Sequence, residues 1–81
     1  MNSMQYDSGH WHRFINKAKG KTKIFDINVN GSAVYWRLGL EGTKCTTKRI
    51  QHISRDEAVQ TMLKMIAEKE KEGFEHLHSL M

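Results

Sequence analysis

Proline is absent from this chain, and cysteine occurs only once, at Cys45. A single cysteine excludes an intrachain disulfide, and its simplest setting is a reduced, cytoplasmic compartment. Long apolar runs are missing too. No stretch approaches the roughly 18 apolar residues of a membrane span, and the opening MNSMQYDSGHWHR lacks the apolar run of a signal peptide. Without a proline-rich or low-complexity linker, 81 residues hold one domain and no second core. Hydrophobic residues at 38% with charged residues at 27% exclude disorder, collagen-like repeats and a coiled coil, leaving an ordinary globular domain.

Acidic residues are scarce in one half of the chain. From Trp11 to Arg55, ten basic residues (Arg13, Lys17, Lys19, Lys21, Lys23, Arg37, Lys44, Lys48, Arg49 and Arg55) face only Asp26 and Glu41. From Asp56 onward three lysines face six carboxylates, so the net charge of +4 belongs to the first half.

Met1 to His10 carry no periodic pattern and read as a flexible N-terminus. Order is expected from Trp11. A first strand, Trp11 to Asn16, alternates His12, Phe14 and Asn16 with Trp11, Arg13 and Ile15, and AKGK then makes a basic turn. A second strand, Thr22 to Val29, sets Phe25, Ile27 and Val29 on one face and Ile24, Asp26 and Asn28 on the other. Asn30-Gly31 is a strong hairpin signal. With those two residues at the corner, Val29 pairs with Ser32, Ile27 with Val34, Phe25 with Trp36, and Lys23 lies near Leu38. One face is then apolar, and the other carries Asp26 opposite Tyr35. A further turn between Gly39 and Gly42 leads to a polar, basic strand from Lys44 to Ile50, with Ile50 and Ile53 returning to the core.

Ser54-Arg55-Asp56-Glu57 has the form of a capping box, which predicts a helix from Arg55. Ala58, Val59, Met62, Leu63 and Ile66 form its apolar stripe, and Gly73 followed by Phe74 closes it. The expected fold class is therefore α+β: an antiparallel sheet of about four strands with one C-terminal helix packed on one face. The domain spans 11–75, and 76–81 read as a short C-terminal tail.

Tyr35, Trp36 and Arg37 stand side by side within the basic half. Rings beside a guanidinium suit a sugar-phosphate polymer, since rings stack on sugars or bases while cations take phosphates. Alternation assigns Tyr35 and Arg37 to the polar face and Trp36 to the core with Phe25 and Leu38.

KIFDI, then YWRLGLEG, then the capped helix ending in EKEKEGF resemble the WGR domain family over about Arg13 to Phe74. The motif W-G-R-[VI]-G-x-x-G corresponds to Tyr35, Trp36, Arg37, Leu38, Gly39 and Gly42, with Tyr35 in the tryptophan place and Trp36 in the glycine place. An alternative alignment puts Trp36 on the motif tryptophan and requires a bulge. WGR domains are nucleic-acid-binding modules, best understood at duplex ends in DNA-break-sensing poly(ADP-ribose) polymerases. The resemblance implies a non-catalytic module with Tyr35 against a sugar or terminal base and Arg37 on a phosphate or a partner domain.

The expected nucleic-acid-binding set is Tyr35, Arg37, Lys21, Lys23, Lys44, Lys48 and Arg49, acting on duplex DNA at ends or nicks. The competing expectation is a protein-interaction domain that docks an acidic partner. On the bland reading Arg37 simply pairs with Asp26 or Glu41. Self-association is a further expectation, because Glu68, Glu70, Glu72 and Glu75 can meet the basic face of a second copy. No enzyme, metal or cofactor motif stands in the chain. GxxxxGK[ST], GxGxxG, CxxC and HExxH patterns are absent, and His10/His12 and His76/His78 with Cys45 do not compose a zinc ligand set.

Overall fold

The computed structural model describes residues 10–18 and 20–77. The expected N-terminal segment, apart from His10, lies outside the described residues, as do Lys19 and most of the expected tail. Five strands and one helix follow in the order β1 (His12–Ala18), β2 (Lys21–Asn30), β3 (Ala33–Leu40), β4 (Lys48–Gln51), α1 (Arg55–Lys71) and β5 (Glu75–Leu77). They build one antiparallel sheet, β4-β3-β2-β1-β5, with the helix on one face. This is the α+β arrangement expected, with one strand more.

Alternation along the strands divides the sheet cleanly. Phe14, Phe25, Ile27, Val29 and Val34 point toward α1 and are buried against Ala58, Met62, Ile66 and Phe74. Each large side chain in that cluster stabilises the fold by roughly 1.5–3 kcal/mol. Trp36, Val59 and Met65 are partly buried against the same cluster. The core stripe of the helix is narrower than expected, because Leu63 is 44% exposed.

The helix begins where its cap dictates. The Ser54 Oγ accepts from the Glu57 amide at 3.2 Å, satisfying one of the amides that the first turn leaves open. Replacing Ser54 with alanine is expected to cost about 1 kcal/mol, read as a lower urea midpoint with an unchanged m-value. At the other end the Phe74 and Gly73 amides donate to the carbonyls of Lys69 and Glu70, at 3.0 and 3.1 Å. This is the Schellman arrangement, with Gly73 at φ 105° and Phe74 folded back into the core.

Four details differ from the sequence reading. Val29 pairs with Val34, Ile27 with Trp36, Phe25 with Leu38 and Lys23 with Leu40, so the hairpin register is displaced by two residues. Gly31 (φ 63°) and Ser32 occupy the corner, between the paired Asn30 and Ala33. The slip conserves parity, so every side chain keeps its expected face.

The fourth strand begins only at Lys48. Residues 41–47 instead form a loop, in which the Thr43 amide and hydroxyl both donate to the Leu40 carbonyl at 3.1 and 2.7 Å.

Ile50 and Ile53 do not return to the core: they are 38% and 90% exposed. The segment is held instead through polar groups, with the His52 amide on the Ser32 carbonyl and the Gln51 side chain on the Ser32 hydroxyl. Leu38, 49% exposed, also lies outside the core, in a shallow hollow with Lys23, Leu40, Glu72 and Phe74 beyond the end of α1.

Finally, Glu75–Leu77 forms an edge strand on β1 that no apolar alternation in EHL announces. It pairs Phe14 with His76, whose rings stack at 4.8 Å. No helix among the described residues is long and apolar enough to cross a membrane.

Candidate nucleic-acid interface

The face opposite α1 is built from every second residue of the strands: Arg13 and Ile15 of β1, Ile24, Asp26 and Asn28 of β2, Tyr35 and Arg37 of β3, and Arg49 of β4. Its centre is polar yet sealed. Asp26 is 1% exposed and Asn28 7%, an unusual position for a carboxylate unless it is paired.

Asp26 is paired on both sides. The register sets it opposite Arg13 on one neighbour strand and Arg37 on the other. Arg13 donates from Nε to Oδ1 at 2.8 Å and from Nη2 to Oδ2 at 2.9 Å, a two-point grip. Arg37 donates from Nε to Oδ2 at 2.8 Å. Burial pushes the Asp26 carboxyl up, but donation from the two guanidiniums outweighs it and holds the group below the ordinary carboxylate value. The hydrogen bond to Asp26 in turn raises Arg13 above its usual range. Two cations on one anion leave the cluster with a net positive charge.

Arg37 is oriented twice over. Besides its bond to Asp26, its Cζ lies 4.2 Å from the centre of the Trp11 ring, within range of a cation–π contact. Trp11 leads into β1 and Arg37 belongs to β3, so this contact passes over β2. Neither Nη1 nor Nη2 of Arg37 makes a hydrogen bond among the described residues, which leaves the outer edge of the fork free for a ligand. Beside it stands a second arginine–aromatic pair. The Arg49 Cζ is 5.9 Å from the Tyr35 ring centre, and its Nε donates to the Tyr35 Oη at 3.3 Å. Arg49 also donates from Nη2 to the Gln51 Oε1.

Of the residues expected from sequence, Tyr35, Arg37 and Arg49 therefore come together. The others lie elsewhere. Lys21 and Lys23 are exposed at the start of β2, with Lys23 on the helix-bearing side. Lys48 is exposed opposite Trp36 on that same side, and Lys44 is exposed in the loop 41–47. Trp36 lies on the helix-bearing face, half-buried against the core.

Four residues of the open face escaped the sequence reading as site residues: Trp11, Arg13, Asp26 and Asn28. Alternation about Phe14 already puts Trp11 and Arg13 on the polar face. What was missing was the register that brings them to Asp26 and Arg37.

Gly39 continues the same face of β3. A Cβ built there would lie 2.5 Å from the Cys45 Sγ, so only glycine leaves room for the loop to fold its thiol onto the strand.

No protein-family model, curated protein or solved structure matches this chain. Any functional reading rests on the residues and their geometry. Among the described residues no three His, Cys, Asp or Glu side chains gather in a way that could hold a metal ion. Of the two histidine pairs in the sequence, His78 lies outside the described residues, while His12 and His76 approach across the sheet to 5.9 Å between ring centres.

Proposed function

We propose that this chain is a non-catalytic nucleic-acid-binding module of WGR type that takes duplex DNA, at ends or nicks, on its open sheet face. The observation that carries this reading is the Arg37 fork. It is fixed from behind by Asp26 and stacked by Trp11, with its outer donors unfilled, next to a tyrosine that already bears Arg49. A guanidinium ordered in advance loses little freedom on meeting a phosphate, and adjacent rings offer a sugar or terminal base a stacking surface. Lys21, Lys23, Lys44 and Lys48, distributed around the sheet, supply longer-range attraction and reach backbone beyond the face. The single cysteine fits a reducing, cytoplasmic setting.

Sequence-specific readout forms no part of this reading. The one helix among the described residues balances Arg55, Lys64, Lys69 and Lys71 against Asp56, Glu57, Glu68 and Glu70, so it brings no net positive charge to a groove. Titrating a 5′-phosphorylated linear duplex against a covalently closed circle tests the proposal. The linear form is expected to bind more tightly, and Tyr35→Ala to reduce that preference. Equal, undetectable binding to both DNAs would instead favour an acidic protein as the occupant of the same face.

A further inference from the structure

Asn28 sits at the centre of the open face on the central strand, 7% exposed, and its Oδ1 is buried without a hydrogen-bond partner. Its Nδ2 makes no hydrogen bond among the described residues either, but is not sealed from solvent as Oδ1 is. A buried carbonyl oxygen that accepts no bond costs folding free energy, and natural cores seldom leave one so. Its neighbours are the two aromatic rings of the face. Tyr35 is its direct partner on β3, and Trp11 continues the β1–β2 register to the level of Asn28 on the other side. With strands about 4.8 Å apart, the backbones that carry the two rings lie about 10 Å from each other across the amide.

We propose that the Asn28 carboxamide, flanked by Trp11 and Tyr35, is a reading position for an unpaired nucleobase at the end of a DNA strand. The inference rests on the open face being a DNA surface and adds what that surface recognises. A carboxamide presents an acceptor beside a donor, which is the complement of a base edge and above all of the N6/N7 edge of adenine. The flanking rings suit stacking on a base taken out of a duplex, and Arg37 stands at the adjacent position of β3 with donors for its phosphate. A paired, stacked base presents no free edge to a flat sheet, so the ligand is an overhang. Access comes through Trp11, which is 39% exposed, precedes β1 and reaches across β2 to Arg37. Lifting that ring opens the centre of the face, while the bond from Arg37 Nε to Asp26 keeps the guanidinium in place.

The test is fluorescence anisotropy with three 5′-phosphorylated duplexes: one with a single-adenine 3′ overhang, one with the same overhang abasic, and one blunt. The native protein is expected to bind the adenine overhang about tenfold more tightly than the abasic one, as a bidentate amide–base contact implies. In Asn28→Ala and Asn28→Leu the two overhangs are expected to bind alike. Asn28→Leu retains the branching of the side chain and buries no polar atom, so it is expected to melt several degrees above the native protein. Lost discrimination in that variant therefore does not reflect misfolding. Equal native affinity for adenine and abasic overhangs, with the blunt end still bound, overturns the reading position while leaving the DNA surface in place. Discrimination that persists in both variants overturns it as well. Failure to bind any of the three DNAs refutes the DNA surface itself.

Discussion

Raising salt from about 50 to 200 mM is expected to weaken binding of a phosphorylated duplex end by about two orders of magnitude, the loss expected when about four phosphates are neutralised. Of the basic side chains, Arg37 is the one whose contribution can be isolated most cleanly, because its position is fixed by neighbours that remain when it is changed. Arg37→Glu removes a phosphate donor, places a carboxylate beside Asp26 and turns attraction into repulsion at the same point. Affinity is expected to fall by about thirtyfold or more at low salt, and the slope of log affinity against log salt to shrink by about one unit. Arg13 still grips both oxygens of Asp26 in this variant, so the fold has a remaining partner for its buried carboxylate. Anisotropy titrations across a salt series, with a thermal melt of each protein, read both effects. A slope near zero in the native protein would show that phosphates are not what this face meets.

The second large effect concerns stability. Asp26→Ala is expected to cost about 2–3 kcal/mol, near the lower end of what breaking a buried pair costs, because the guanidiniums left behind can hydrate. Their side chains are 39% and 32% exposed in Arg13 and Arg37. For a domain of this size the change corresponds to a fall of about 10–20 °C in Tm.

The same pairing gives a pH signature. Asp26 has a folded-state pKa below its unfolded value, so its contribution is complete above the unfolded value of about 3.9 and is lost as pH falls through the depressed folded value. Native protein and Asp26→Asn are therefore expected to differ most in urea midpoint near neutral pH and to converge in acid. A gap that stays constant down to strongly acidic pH would show that Asp26 contributes through shape alone.

Asp26 also explains how far the sequence could be read. Apolar periodicity and the capping signals were sufficient for the helix, its two caps and the faces of β1, β2 and β3, because parity, helical spacing and caps depend only on neighbours along the chain. Register depends on partners across the sheet. Asn30-Gly31 read as a corner sets Asp26 opposite Tyr35, which takes Arg37 out of the facing position and leaves Arg13 alone beside the buried carboxylate. Moving the corner to Gly31 and Ser32 brings Asp26 level with Arg37, with Arg13 on the other side. Only the observed hairpin register sets a guanidinium opposite Asp26 on both neighbouring strands.

Elsewhere the local signal was too weak. Glu75–Leu77 is three residues long and acquires its extended form by pairing with β1. Ile50 and Ile53 look like core residues by type, but a short edge strand fastened through Gln51 and Ser32 leaves them exposed. Tyr35, Arg37 and Arg49 were recognisable as site candidates from residue type and alternation. Trp11 and Asn28 were not, because what distinguishes them, a ring lying across a strand and an amide without a partner, exists only in three dimensions.

The pairing of β5 with β1 joins positions roughly sixty residues apart and makes the last described strand the neighbour of the first. During synthesis the β1–β3 meander can form early, but its apolar underside stays open until the helix emerges and Phe74 follows it. The Schellman closure fixes the direction in which the chain leaves that helix and delivers Glu75–Leu77 to the vacant edge of β1. A ribosome stalled shortly before Phe74 would thus hold a nascent chain with most of its sheet but neither the latch nor the edge strand, the kind of intermediate that chaperones engage.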